Sequence, residues 1–230
     1  MVRTDCTAET YLNWEREALD RHEYLNGIIR PMPGGTPTYN QILLNLAISL
    51  KLKLPKGIYQ VFVADQGLAI PTYNEFTYPG VMVARKPIQM YQDIKDTIVN
   101  PILVAEVLFP STADYDRSDK FQFYQSIPTL KEYLLIEQGF IRVERCCQHD
   151  ADQWLSKTFA DREQKMNIDS LDITLGIEEI YTDVELEDEP RLTVTEYFNL
   201  DNNSIEWHEY INCKSQIFSG KSVYVTEKCT

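Results

Sequence analysis

Ile102-Leu103-Val104-Ala105-Glu106-Val107-Leu108-Phe109-Pro110-Ser111-Thr112 is a run of β-branched and aliphatic residues interrupted by one acid and closed by Pro110. Apolar residues in unbroken succession predict a strand covered on both faces, in the middle of a mixed or parallel sheet. Glu106 is out of place in such a strand. An unpaired buried carboxylate costs several kcal/mol, so Glu106 is expected near the strand end, paired with a cation, or bound to a metal. A glutamate salt-bridged at a sheet edge accounts for it equally well.

Upstream of this strand, Thr7 to Leu19 has a capping threonine and helical spacing of Tyr11, Trp14, Glu15 and Ala18. Asn26-Gly27, between Glu23-Tyr24-Leu25 and Ile28-Ile29-Arg30, is a two-residue hairpin signal. After a loop at Pro33-Gly34-Gly35-Thr36-Pro37, residues Ile42, Leu43, Leu46, Ala47, Leu50 and Leu54 mark an amphipathic helix over Tyr39 to Leu54. Lys51, Lys53 and Lys56 at its end suit the negative pole of the helix dipole. Strands are expected at Gln60 to Ala64, Gln66 to Pro71 and Tyr78 to Ala84. Arg85 to Asn100 reads as irregular.

Downstream, one helix starts at Asp114 or Asp116 and ends before Ile127-Pro128, with Lys120 about two turns inside it. Glu132 to Ile136 and Phe140 to Cys147 form a hairpin, and Trp154 to Phe159 a further strand. Asp169 to Ile173 and Ile177 to Ile180 are short elements. From Asp188-Glu189-Pro190 onward the composition turns polar, aromatic and threonine-rich, so two regions are expected: 1–187 as the main domain and 188–230 as a strand-rich extension. The fold class is α/β, a mixed sheet flanked by helices with a C-terminal appendage.

Composition narrows the function classes. The chain has 230 residues, 43% hydrophobic and 25% charged, and no stretch approaches a membrane-spanning length. The start lacks an apolar signal core, which predicts a cytoplasmic protein. Five cysteines, two of them adjacent at Cys146-Cys147, fit neither a disulfide framework nor spaced zinc pairs. His22, His149 and His208 show no ligand spacing. A net charge of −13 disfavours functions that depend on broad attraction to nucleic-acid backbones, although a local basic groove is compatible with it.

The placed motifs resemble the Uma2 family (DUF820) of restriction endonuclease-like proteins, within the PD-(D/E)xK nuclease fold. The resemblance rests on Arg21-His22-Glu23-Tyr24-Leu25-Asn26-Gly27, on Gly34-Gly35-Thr36 with Asn40 and Asn45-Leu46, and on Tyr78-Pro79 with Val81-Met82-Val83. It continues through Ala105-Glu106-Val107-Leu108, Pro110-Ser111-Thr112, Tyr115-Asp116-Arg117 with Lys120 and Tyr124, and Ile127-Pro128 with Glu132-Tyr133. It spans about residues 9–187.

The resemblance implies a Mg²⁺- or Mn²⁺-dependent endonuclease acting on DNA, working as a homodimer or higher homo-oligomer. By position, it makes Glu106 the metal-binding acid, Val107 a donor through its backbone carbonyl, Lys120 the catalytic lysine and Glu23 an accessory acid. Leu108 stands where the usual pattern has its lysine, so Lys120 must reach the site from the following helix. Gly80 is the larger departure, because the family pattern places the first metal-binding aspartate there. Asp65 is the acid expected to substitute. The alternative is a nuclease-fold protein that binds nucleic acid or a protein partner without cutting. Each residue also has a structural reading: Glu23 paired with Arg21 or Arg30, Lys120 on a helix surface, Asp114, Asp116 and Asp119 as caps and dipole partners, and Tyr124 and Trp14 in the core.

Overall fold

Asn26 and Gly27 adopt positive φ of 41° and 100°, the conformation a two-residue hairpin turn needs to match strand twist. They join β1 (His22–Leu25) to β2 (Ile28–Pro31), with Glu23 directly opposite Arg30. Before them, α1 (Ala8–Glu15) is capped by the Thr7 hydroxyl, which accepts from the Thr10 N–H. It stops one turn earlier than its sequence periodicity predicts. The Glu15 carboxylate turns inward to accept from the His22 backbone N–H at 2.9 Å and faces His22 Nδ1 at 3.1 Å, while Leu19 is fully exposed.

This computed structural model describes residues 5–32, 34–150 and 153–186, with the backbone alone for Asp93. Beyond these it describes only strand backbones at 191–192, 208–211, 214–217 and 222–225. The chain divides into two compact units, Met1–Glu185 and Leu186–Thr230. The boundary expected at 187/188 lies outside the described residues. Among the described residues no helix is long and apolar enough to cross a membrane.

In the first unit the Thr36 hydroxyl caps α2 (Pro37–Lys53), accepting from the Tyr39 N–H. Then come β3 (Tyr59–Val63), β4 (Gly67–Ile70), β5 (Glu75–Thr77), β6 (Val81–Arg85), β7 (Thr97–Ile98) and β8 (Pro101–Leu108). Two short helices follow, α3 (Ala113–Arg117) and α4 (Asp119–Gln125), where the sequence predicts one. Ser118 breaks them, with φ −110° and ψ −93° and its hydroxyl donated to the Asp114 carbonyl at 2.6 Å. The unit continues with β9 (Glu132–Glu137), β10 (Val143–Asp150), β11 (Gln153–Phe159), β12 (Lys165–Ile168), β13 (Ile173–Gly176) and α5 (Ile177–Ile180).

These strands form a five-stranded sheet, β2-β1-β5-β4-β7, a six-stranded sheet, β11-β10-β9-β8-β6-β3, and the β12-β13 pair. The fold is mixed α/β: β8 pairs parallel to β9 and antiparallel to β6. Every residue of β8 except Ile102 is buried, as its unbroken apolar run requires. One core joins Leu68, Ile70 and Ile98 of the small sheet to Met82, Val104, Leu108, Tyr133 and Leu135 of the large one, with Tyr124 and Ile127 from α4 and the turn after it. Ile42, Leu43, Leu46 and Leu50 of α2 are buried as well, and α2 packs on β3, β6, β8 and α5.

In the second unit the described strands are β14 (Arg191–Leu192), β15 (His208–Ile211), β16 (Lys214–Ile217) and β17 (Ser222–Val225). They form a four-stranded sheet in the order β14-β17-β16-β15.

Candidate active site

Glu106 lies near the C-terminal end of β8, where the strand runs out beside α3 and α4. Its carboxylate is buried at 7% exposure and fully engaged on one side. Oε1 accepts from the Tyr124 hydroxyl at 2.7 Å and faces Lys120 Nζ at 3.1 Å, while Oε2 accepts from the Gly80 backbone N–H at 3.1 Å. Burial pushes the Glu106 carboxyl up, Lys120 draws it back, and Asp116 pushes it up again. So the acid that the apolar run isolates is at the strand end and ion-paired.

Lys120 is buried rather than spread on a helix surface. Its ammonium stands 2.9 Å from Glu23 Oε1, 3.1 Å from Glu106 Oε1 and 3.5 Å from Asp116 Oδ1. Burial alone would lower the lysine, but Glu106 and Glu23 hold it well above its ordinary value. Glu23 also accepts from the Thr77 hydroxyl. Burial raises its carboxyl, and Lys120 and Thr77 outweigh that and hold it below the usual range. Neither arginine considered from sequence takes Glu23: Arg30 stacks over Tyr115 at 5.4 Å, and Arg21 faces Asp65 at 3.7 Å.

Asp116 was the less visible member. Asp114 and Asp119 are exposed, as caps or dipole partners would be, but Asp116 is buried, and its carboxylate accepts no backbone N–H. The signal for it is its spacing: Asp116 and Lys120 stand four residues apart and share a side of the chain across the Ser118 break. Burial raises its carboxyl against the pull of Lys120 and the Thr112 hydroxyl. Asp65, in contrast, does not join the cluster. Its side chain is 82% exposed at the surface, beyond the end of β3.

Glu23, Lys120, Glu106, Val107 and Asp116 line one cavity of about 160 Å³, with Arg30, Tyr39, Tyr78 and Tyr115 around them. A larger cavity of about 720 Å³ lies over β10 and β11, lined in part by Arg145. That arginine is held by Glu132 at 2.9 Å and Asp169 at 2.8 Å, a closed ion network. The small cavity collects three carboxylates against the Lys120 ammonium and the Arg30 guanidinium at its rim.

Its donors are those of a hard divalent cation. Each carboxylate oxygen has two lone-pair directions; Glu106 Oε2 and both oxygens of Asp116 each have one accounted for, leaving acceptor capacity in the cavity that Val107 also lines. Among the described residues no three His, Cys, Asp or Glu side chains form a ready cage. Mg²⁺ does not require one, since it keeps several waters and takes one or two carboxylates.

Position 80 contributes a donor N–H and no side chain. A Cβ built there would meet Leu43 Cδ2 at 2.8 Å and the Ala105 carbonyl at 3.2 Å. Leu43 therefore occupies the space next to the glycine.

Residues 8–182 match the sequence model of the Uma2 family, described as "Putative restriction endonuclease". The chain belongs to the Uma2 family. Two Synechocystis proteins are similar to this Uma2 chain. One, sll1609, is 38% identical over 149 residues, covering 65% of this chain and 84% of its own length. The other, slr1290, is 31% identical over 175 residues, covering 75% and 90%. The crystal structure of "a putative nuclease belonging to DUF820" from Anabaena variabilis superposes with a TM-score of 0.60, covering 77% of this chain and 98% of that one. At 15% identity that likeness establishes the nuclease-type fold of this Uma2 chain and nothing finer.

Proposed function

We propose that this Uma2 protein hydrolyses DNA phosphodiester bonds at the Glu23, Glu106, Lys120 cavity with a divalent cation. The observation that carries the reading is the buried Lys120 ammonium held among carboxylates at the end of the central strand. A cation so deeply desolvated and so fully determined in position is a poor choice for stability alone, because hydrophobic replacements of buried ion pairs are often neutral or better. Family membership supports the same reading.

Each residue has a task in this reading. Glu106 and the Val107 carbonyl would hold Mg²⁺ or Mn²⁺. The bound ion supplies Lewis-acid stabilisation of the phosphate and an acidified water. Lys120 would give up its longest contact, the one to Asp116 at 3.5 Å, to donate to oxygens that gain negative charge in the transition state, within a site where water is scarce and such a contact is strong. Glu23, fixed by Thr77, holds the lysine in position. Tyr124 and the Gly80 N–H hold the Glu106 carboxylate in one rotamer. Arg30 at the rim offers a second cation to a phosphate. Cutting both strands of a duplex calls for two such centres, hence a homodimer.

The test is conversion of supercoiled plasmid with Mg²⁺ or Mn²⁺. The unaltered chain should nick or linearise it, and Glu106→Gln and Lys120→Met should each slow this by about 10²-fold to 10³-fold. Cleavage undiminished in both variants, or absent throughout, overturns the reading. Gly80 favours one alternative, a nuclease-fold binding module that does not cut. Its signature is DNA retention in a mobility shift without any product.

A further inference from the structure

We infer that Asp116 supplies the second carboxylate of the centre, so that the acids facing a divalent cation in this chain are Glu106 from the central strand and Asp116 from α3. The inference rests on the metal-dependent reading above and specifies which side chains carry it.

Residue 80 is unable to fill the role. It has no side chain, its backbone presents N–H to Glu106, and Leu43 packs against the position. Asp65 is on the surface with Arg21. Asp116 and Glu23 are the further acids that line the cavity with Glu106 and Val107; Glu23 is taken up by the Thr77 hydroxyl and by Lys120 at 2.9 Å, whereas Asp116 meets the ammonium only at 3.5 Å. It caps no backbone N–H; its carboxylate meets only the Thr112 hydroxyl at 3.0 Å and the shared ammonium at 3.5 Å. A cap or dipole partner gains by being at the solvent edge of a helix start, where Asp114 and Asp119 are and Asp116 is not.

Its position is also rigid. The Tyr133 hydroxyl on β9 donates to the Asp116 carbonyl at 3.0 Å, tying α3 to the strand beside β8. The two acids are thus fixed to neighbouring strands of one sheet, as metal ligands must be to hold a defined separation.

A buried acid also stands behind the triad. Glu75 lies two residues before Thr77 on β5, on the same face as the Thr77–Glu23 contact. It is 1% exposed; its Oε1 accepts from the Tyr115 hydroxyl at 3.5 Å, and its Oε2 has no hydrogen-bond partner. Lys120 is already shared three ways and Arg30 is stacked on Tyr115. A triad of carboxylates around one ammonium, with the Arg30 guanidinium at the rim, still carries more acid than cation, and a divalent cation between Glu106 and Asp116 would balance it.

The experiment is Mn²⁺ titration of the full chain, with free Mn²⁺ read by electron paramagnetic resonance, on the unaltered protein, Asp116→Asn, Glu106→Gln and Asp114→Asn. The unaltered chain should bind Mn²⁺; Asp116→Asn and Glu106→Gln should each weaken binding by about ten-fold or more; Asp114→Asn should leave it unchanged. Binding by Asp116→Asn equal to the unaltered chain, with loss in Glu106→Gln, overturns the role of Asp116 and leaves the metal-dependent reading standing. No binding by the unaltered chain overturns both.

Oxidative cleavage of the unaltered chain by Fe²⁺ with ascorbate and peroxide gives the same answer without relying on a variant that folds. Backbone breaks in the segment 112–117 as well as at 106–107 support the assignment; breaks at 106–107 without any in 112–117 overturn it.

Discussion

Glu75 has no ion-pair partner among the described residues. Burial first, then Glu23 nearby, pushes its carboxyl up to about 8 from an ordinary value of 4.5. A group raised in the folded state contributes stability that is fully present below its unfolded value and disappears as the pH climbs to the folded one. With about 1.36 kcal/mol per pKa unit, the loss between about pH 4.5 and 8 amounts to a few kcal/mol. Glu75→Gln keeps the shape of the neutral acid and should remove this slope. Thermal denaturation of the two proteins should show Tm curves that diverge in favour of the variant as pH rises through that window; parallel curves would rule Glu75 out as the titrating group. Lys120 makes the opposite kind of contribution. Lys120→Met leaves Glu23, Glu106 and Asp116 buried without their cation and should cost about 3–5 kcal/mol at neutral pH. Glu23, held low in the folded state, contributes stability above its unfolded value and loses it as the pH falls through its folded one. The deficit of Lys120→Met against the unaltered chain in urea titrations should therefore shrink as the pH is lowered and the carboxylates take up protons. Glu106 was legible as a candidate because an acid in an apolar run violates a local rule, and Lys120 because it stands in line with a family motif. Asp116 was not, since an aspartate at a helix start has an ordinary explanation that only burial removes.

Among the elements, α2 and the strand after Gly80 are matched to the absence of a side chain. Gly80→Asp forces its Cβ against Leu43, which is itself buried, and should cost about 1–3 kcal/mol by overpacking. Leu43→Ala alone leaves a cavity and should cost about 2–5 kcal/mol. The double variant should be more stable than the two costs added together, a non-additivity expected of residues in contact, and a double-mutant cycle from guanidinium melts reads it directly. An additive cycle would mean that the aspartate finds space without moving Leu43. The long apolar or turn-marked elements were readable from sequence: the Asn26-Gly27 hairpin, α2, β8 and the β9–β10 pair. Four features were not. Thr97–Ile98 and Glu75–Thr77 are too short for a period, and exist because β4 and β1 offer partners distant in the chain. The break between α3 and α4 depends on the Ser118 backbone, and a helical periodicity runs through it unmarked. The end of α1 is set by where Glu15 finds His22, a contact no local pattern encodes.

The whole molecule separates at 185/186, and the first unit contains a continuous core and all the residues of the cavity. A chain ended after Glu185 should therefore keep its Tm within a few degrees of the full protein and bind Mn²⁺ with the same affinity; a molten or unfolded product by calorimetry would show that residues 186–230 are part of the folding unit. Composition could not have located the site. A net charge of −13 is a sum over the molecule, while the cavity is governed by one lysine and the acids within reach of it. The first unit is also closed by contacts between its beginning and its end. The Asn45 side chain on α2 donates to the Ile180 carbonyl at 3.0 Å and the Thr182 carbonyl at 2.7 Å, and Lys53 meets Glu179 at 2.9 Å. During synthesis α2 emerges early, yet the residues that cover this flank are 137 positions later. At about 5–20 residues per second the ribosome takes roughly 7–27 s to deliver them. For that interval the growing chain carries an uncovered helix flank, and this is the stretch where a chaperone would be expected to hold it.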